Sequence, residues 1–246
     1  MNSCKETFRI ATYNIHGGWG MDKVLDMERI ANTLRTMQFD ACVLCEVDQN
    51  CARSQFRDLA GEVGKLLNMN VIFAPAFRMT RDYDPAMGDE IGLYGIAIIS
   101  PYKLTLKKAI KLTLPAQLEP RTAAFVEVAA ETPFMMVGTH ISWEPEMVAE
   151  RIASLREIAA VAARYSDKPL FLAGDLNDIP GSEVIKTLDE NWTVPALPAT
   201  FPADAPTDAI DYAVAWKAQS MQALAIESPE EKVASDHRPL LVVWGK

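Results

Sequence analysis

Cysteine, histidine and positive charge are all scarce in this chain. Its 246 residues include 4 cysteines and 3 histidines, and 24 Lys and Arg stand against 33 Asp and Glu, a net charge of −9. Four cysteines are too few for a disulfide framework to carry a chain of this length. The one close pair, Cys42-x-x-Cys45, falls in an apolar run that reads as a strand. Positions three apart on a strand face opposite sides, so the two thiols cannot meet on one zinc ion. The excess of acid excludes a protein that coats nucleic acid through neutralised phosphates. It leaves open a single phosphate held in a pocket where a metal ion brings the positive charge. No stretch approaches the roughly 18 apolar residues of a membrane helix. The first residues, Met-Asn-Ser-Cys-Lys-Glu-Thr, lead straight into an apolar strand without the core of a signal peptide, so a cytoplasmic protein with reduced thiols is expected. There is no G-x-x-x-x-G-K-S/T, no G-x-G-x-x-G, no linker and no repeat of fixed period. One domain spanning 1–246 is therefore expected.

What the chain does have is a regular succession of short apolar runs. Phe8 to Ile15, Ala41 to Val47, Asn70 to Ala74, Tyr94 to Ser100, Leu104 to Leu112, Thr122 to Val128, Phe134 to Thr139, Leu170 to Ala173, Ile210 to Trp216, Met221 to Ile226 and Pro239 to Trp244 read as strands. Helical spacing places Met27, Ile30, Leu34 and Met37 on one face, then Phe56, Leu59, Val63, Leu66 and Leu67, then Val148, Ile152, Leu155, Ile158 and Val161. Ser182, after Pro180-Gly181, is placed to cap a shorter helix. The stretch from Tyr94 to Ile141 is nearly all strand, which predicts antiparallel pairing. The expected fold is α/β, with two facing mixed β-sheets flanked by helices.

Polar residues gather at the ends of these runs. Asn14, Glu46, His140 and Asp175 stand at the ends of strands, and Asp211 and Asp236-His237 at the starts of the last segments. Carboxylates and amides beside buried runs need partners, and a divalent cation is a shared one. Glu46, Asn14 and Asp236 are oxygen donors, the type that suits Mg²⁺ or Mn²⁺. In hydrolysis of a phosphoester, Asp175 is the candidate to take a proton from the attacking water. Asn177, two residues on, faces the same side if the strand direction persists, and its amide orients water or holds a phosphate oxygen. An imidazole kept charged by a carboxylate offers a second cation to the transition state, and His237 held by Asp211 fits. Rival patterns fail: a calcium loop opened by Asp175 would need Gly where Pro180 stands, and neighbouring Ser235, Asp236 and His237 point in alternating directions and cannot relay protons as a triad.

In order along the chain, Thr12-Tyr13-Asn14-Ile15-His16-Gly17-Gly18, Leu44-Cys45-Glu46-Val47-Asp48, Tyr94-Gly95-Ile96-Ala97-Ile98-Ile99-Ser100, Val137-Gly138-Thr139-His140, Ala173-Gly174-Asp175-Leu176-Asn177, Ile210-Asp211-Tyr212 and Ser235-Asp236-His237-Arg238-Pro239 resemble the motifs of the endonuclease/exonuclease/phosphatase superfamily. Seven motifs in the right order make a far more specific signal than any one. The resemblance implies a four-layer α/β sandwich and hydrolysis of phosphoester bonds with Mg²⁺ or Mn²⁺. It implies Glu46 as principal metal ligand with Asn14 and Asp236 close by, and Asp175 orienting or deprotonating water. Asn177 would then contact the scissile phosphate or a second ion, His140 and His237 would donate to phosphate oxygens, and Asp211 would polarise His237. Two positions depart from the family: Cys45 replaces a common Gln, and His140 stands where apurinic endonucleases usually have Tyr, which favours the phosphodiesterase and phosphatase branches over DNA repair.

Other residues keep two readings each. Arg121, where the family often has an Arg near the site, binds substrate or is a solvated or carboxylate-paired strand-start residue. Trp19 and Trp143 stack on substrate at the pocket rim or pack in the core. His16 is a loop residue of open role, and Gly17-Gly18 permit a tight turn. The loop from Arg78 to Met87 sets specificity or merely connects, and Lys103, Lys107, Lys108 and Lys111 form a solvated face. The expected substrate is a phosphate ester, small or lipid-linked, acted on by a monomer. A nuclease and a non-catalytic binding module are the alternatives.

Overall fold

Period-two alternation in the apolar runs builds two sheets that share one dry interior. In the computed structural model, which describes residues 7–246, the strands are β1 (Thr7–Asn14), β2 (Ala41–Gln49), β3 (Asn70–Met79), β4 (Gly92–Ser100), β5 (Leu104–Lys111), β6 (Thr122–Val128), β7 (Phe134–His140), β8 (Leu170–Asp175), β9 (Trp192–Thr193), β10 (Asp211–Trp216), β11 (Gln222–Glu227) and β12 (Leu240–Gly245). The helices are α1 (Met27–Arg35), α2 (Leu59–Leu67), α3 (Val148–Ala162) and α4 (Glu183–Leu188). One sheet has the order β11-β12-β1-β2-β4-β3 and the other β5-β6-β7-β8-β10-β9. All eleven expected strands form; the two-residue β9 is the addition, too short to leave a periodic signal.

Each sheet contains one parallel pair, β1 with β2 and β7 with β8. A parallel pair needs a crossover, and α1 and α3 supply them. Asp26 caps α1 by accepting from the Arg29 N–H, Asp58 caps α2 through the Gly61 N–H, and Ser182 caps α4 through the Ile185 N–H. Along α1, Met27, Ile30 and Leu34 are buried against Ala11, Tyr13 and Leu44 on the outer face of the first sheet. Along α3, Leu155, Ile158 and Val161 are buried on the second sheet over Leu170, Leu172 and Val214. Between the sheets lie Phe8, Ile10, Val43, Phe134, Met136, Phe171, Ala173, Val242 and Trp244. Four layers result, and each fully buried large side chain among them stabilises the fold by about 1.5–3 kcal/mol.

Cys42 faces the helices and Cys45 the space between the sheets, so the expected separation of the two thiols holds; Cys4 lies outside the described residues. Lys107 and Lys111 are exposed on β5, an edge strand, where charge discourages pairing with another chain. Two expected ends move. β3 runs on to Met79, taking in Arg78 from the presumed loop, and Pro85–Met87 forms a 3₁₀ turn. β2 continues past Glu46, with its register to β4 shifting between Leu44 and Val47, so Glu46 sits in a bulge and does not end the strand. Among the described residues no helix is long and apolar enough to cross a membrane.

Gly174 fixes how closely β7 and β8 approach just before the strand ends. Its φ is +147°, and a Cβ there would lie 1.8 Å from the Thr139 carbonyl oxygen. We expect Gly174→Ala to lower stability by about 2–4 kcal/mol in urea unfolding, because backbone must move to make room; an unchanged midpoint would contradict this close approach.

Candidate active site

The side chains that face inward near the ends of the strands continue the inter-sheet rows. Phe8 and Ile10 are followed in phase by Asn14, Phe134 and Met136 by His140, and Phe171 and Ala173 by Asp175, while Asp211 leads into Ala213 and Ala215. The same alternation that fills the core therefore delivers polar groups to its edge. Glu46 is out of phase with Val43 and Cys45. The bulge re-aims it, with Glu46 itself at φ 58°, so that its carboxylate meets Asn14.

Asp175 is the hub. Its Oδ1 accepts from the Asn177 N–H at 2.9 Å, and its Oδ2 accepts from Asn14 Nδ2 at 3.0 Å. The same Nδ2 donates to Glu46 Oε1 at 3.0 Å, so one amide ties a carboxylate of each sheet. Nε2 of His140 and Nε2 of His237 lie 3.6 and 3.7 Å from Asp175 Oδ2. On its other side His237 Nδ1 is 2.8 Å from Asp211 Oδ2, which also accepts from the Thr200 hydroxyl at 2.6 Å. Phe201 packs on the His237 ring. Asn14, His140, Asp175, Asp211 and His237 are all buried. Thr200, equally buried, went unnoticed in the sequence because a lone threonine in an irregular segment has no signature.

The two histidines are driven in opposite directions. Burial disfavours charge on His237, but the Asp211 carboxylate beside it overrides this and pushes its pKa up to about 10. Burial and the Arg121 guanidinium hold His140 well below its usual range, so it is neutral. Arg121 Nη1 lies 3.1 Å from His140 Nδ1, and a guanidinium only donates. Asn177 Nδ2, also a donor, lies 3.0 Å from Nε2, so the neutral ring has a donor at each nitrogen and accepts from one of them. Burial and the nearby Asp211 raise the Asp175 carboxyl to about 7, opposed by His237 and by the donors on Asn177 and Asn14.

Not every expected residue lands in this network. Arg121 is buried, which excludes a solvated role; it lies behind His140 and pairs with Glu119 at 3.0 Å. The strand does not persist to Asn177, as its in-phase placement required. That residue turns into the left-handed region at φ 47°, and its Nδ2 still reaches the His140 ring at 3.0 Å and the Ile141 carbonyl. Asp236 is half-buried, 3.8 Å from exposed His16, and joins the rest through Ser235, whose hydroxyl donates to the Asn14 carbonyl at 2.7 Å. Trp19 is half-buried, with its indole N–H donated to the Arg53 carbonyl. Trp143 is 60% exposed, which excludes core packing.

Whether these residues suit a divalent cation is a question of donors and charge. Asp175, Asp211 and His237 place ligand atoms within 4.8 Å of one another, a grouping that differs from the expected Glu46, Asn14 and Asp236. His237 and Asp211 are already bonded to each other, and Asn14 turns its amide nitrogen to the carboxylates and its oxygen to the His16 N–H. Glu46 and Asp236 are the carboxylates not consumed in this way. Asp211 Oδ1 is buried without a partner, and burial together with the neighbouring Asp211 carboxylate raises the Asp175 pKa, so negative charge here is short of solvation. An oxygen-rich, anion-heavy donor set of this kind fits a hard divalent ion.

Residues 11–237 match the family model described as Endonuclease/Exonuclease/phosphatase family. No curated protein matches the sequence. A solved endonuclease/exonuclease/phosphatase from Beutenbergia cavernae DSM 12333 is similar with a TM-score of 0.72 at 20% identity, over 98% of this chain and 72% of that one. A family protein from Bacteroides thetaiotaomicron gives 0.74 at 15% identity over 98% of both chains. A mannosyl-6-phosphatase from Bacteroides thetaiotaomicron VPI-5482 gives 0.72 at 16% identity, over 96% of this chain and 99% of that one. At these identities the likeness is one of fold.

Two measurements test the protonation pattern. In ¹⁵N NMR, His140 should stay neutral, with one bare and one protonated ring nitrogen, through neutral pH, and Arg121→Met should raise the pH at which it gains its second proton; an unchanged titration would remove Arg121 as a cause. For His237 the folded pKa of about 10 exceeds the ordinary 6.5, so the stabilisation it brings is complete below 6.5 and is lost as pH rises through 10. In chelator, the melting temperature should fall from pH 7 to 10, and Asp211→Asn should flatten that fall.

Proposed function

Because this chain belongs to the endonuclease/exonuclease/phosphatase family, whose members are phosphoester hydrolases, we propose that it hydrolyses a phosphodiester or phosphomonoester by in-line attack of water. A small or lipid-linked ester is the substrate this reading favours. The observation that carries it is the placement of Asp175, buried between two imidazole nitrogens and tied through Asn14 to Glu46.

Asp175 Oδ2 is the acceptor for the proton of the attacking water. Its pKa of about 7 lets it take a proton near neutral pH, as a general base must. The Asn177 N–H fixes the other oxygen, so the carboxylate cannot swing away. His237, kept protonated by Asp211, is a donor for phosphate oxygens beside Asp175, with the neutral His140 ring next to the same carboxylate oxygen. Charge developing on those oxygens then meets a preorganised donor in a site with little water. Asn177 adds an amide at the edge of this cluster. Glu46 and Asp236 are the residues that would hold Mg²⁺ or Mn²⁺, with Asn14 orienting Glu46. When bound, such an ion supplies Lewis acidity at a phosphate oxygen and charge against the leaving alkoxide.

The net charge of −9 supports a substrate with few phosphates over a long nucleic acid.

Release of nitrophenol from bis(p-nitrophenyl) phosphate or p-nitrophenyl phosphate, dependent on Mg²⁺ or Mn²⁺ and abolished by EDTA, tests the reading. Asp175→Asn and His237→Ala should each lower turnover by about a hundredfold or more; the melting temperature should change little for Asp175→Asn and fall for His237→Ala, which leaves Asp211 buried without its partner. Glu46→Gln should shift the Mg²⁺ titration to higher concentration. Silence on every ester would favour a binding module, and efficient cutting of plasmid DNA at physiological salt would favour a nuclease.

A further inference from the structure

Beside the catalytic cluster runs a groove of about 480 Å³ to which Asn177 contributes, the residue whose amide also touches His140. It lies between two loops, one following β7 and carrying Trp143, the other following β8 and carrying Asp178 and Ile179. Its size falls within the range of small-ligand pockets.

The two loops are locked together from beneath. Arg151 of α3 is only 4% exposed, and its guanidinium donates to the Glu144 carbonyl at 2.6 Å and to Asp178 Oδ2 at 3.1 Å. The Tyr212 hydroxyl adds a bond to the Asp178 carbonyl at 3.0 Å. The groove is thus held open by buried polar contacts, which lowers the ordering cost of binding. The walls that remain accessible are of two kinds. Trp143, Ile179 and Val148 are 60, 50 and 37% exposed and offer flat apolar surface, the indole above all. Glu183 and Asp208 offer carboxylate acceptors. Glu183 meets Lys186 in an exposed pair, which binds weakly and leaves the carboxylate available. The groove's cationic lining residue, Arg151, is already engaged, so the groove presents net negative charge to an occupant.

We propose that this groove binds the alcohol moiety of the substrate, and that this moiety is a neutral, hydroxyl-bearing ring of the sugar or polyol class. The inference rests on the phosphoesterase reading of the adjacent cluster. An apolar face stacks on the indole, hydroxyls donate to the carboxylates, and the phosphate lies past Asn177 among the histidines. A second phosphate or a nucleic-acid backbone in the groove would face Glu183 and Asp208, and among the described residues the groove's lining offers no cation beyond the engaged Arg151.

The test compares kcat/KM for glucose 6-phosphate and ethyl phosphate, each also as its methyl diester. The hexose esters should be preferred at least about tenfold. Trp143→Ala should cut that preference about fivefold or more, through KM on the hexose ester, as loss of one stacking surface predicts. Equal turnover of hexose and ethyl esters, or a stronger preference for a dinucleotide, overturns the proposal. Methyl glucoside, which cannot be hydrolysed at phosphorus, separates the groove from the chemistry. It should quench tryptophan fluorescence saturably in wild type and in Asp175→Asn, but not in Trp143→Ala. Absence of quenching overturns the groove assignment even if esters are cleaved. Quenching without cleavage of any ester sustains the groove and rejects the phosphoesterase reading.

Discussion

A single carboxamide, that of Asn14, holds the chemistry of this protein at one point. Its Nδ2 donates to Glu46 on a neighbouring strand and to Asp175 on the opposite sheet, 161 positions away in sequence. Two acidic groups brought together in a buried setting would repel each other and lose their hydration. A donor placed between them offsets part of both costs and sets their separation. The arrangement depends on the two sheets meeting at a fixed spacing, which the large side chains between them maintain. The site is therefore a property of the layer between the sheets.

That layer also assigns different protonation states to chemically identical side chains. His237 has a buried carboxylate, Asp211, on its Nδ1 and carries charge. His140 has a buried guanidinium, Arg121, on its Nδ1 and is neutral. Both direct Nε2 toward the same Asp175 oxygen. One protein thus obtains a charged and a neutral imidazole from the same residue type, by changing what stands behind each ring. Arg121 acts through His140 and makes no approach of its own to the hub.

Much of this was open to inspection in the linear chain. The apolar runs named every strand except β9, and the helical spacings of Met27, Ile30 and Leu34 and of Leu155 and Ile158 marked the faces that are buried. In the fold, Asn14, His140, Asp175 and Asp211 occupy the same parity as the apolar residues of the inter-sheet rows. Glu46 broke the rule. Its direction comes from a bulge, which inserts one residue and is invisible to a two-residue period. Asn177 reached the site by a left-handed turn where extended strand was anticipated. Thr200 and the latch of Arg151 had no local pattern at all, because each acts on a group remote in sequence.

Sequence alone determined the layers, every strand but β9 and the identity of the polar residues that terminate the rows. These follow from periodicity and from motif order, which are local properties. Tertiary structure decided which oxygen meets which nitrogen. It turned Arg121 inward, left Trp143 standing free, and joined two loops into a groove through a buried arginine. Hydrogen-bond pairing and proton placement depend on separations of tenths of an ångström between distant segments, and only the packed fold sets those distances.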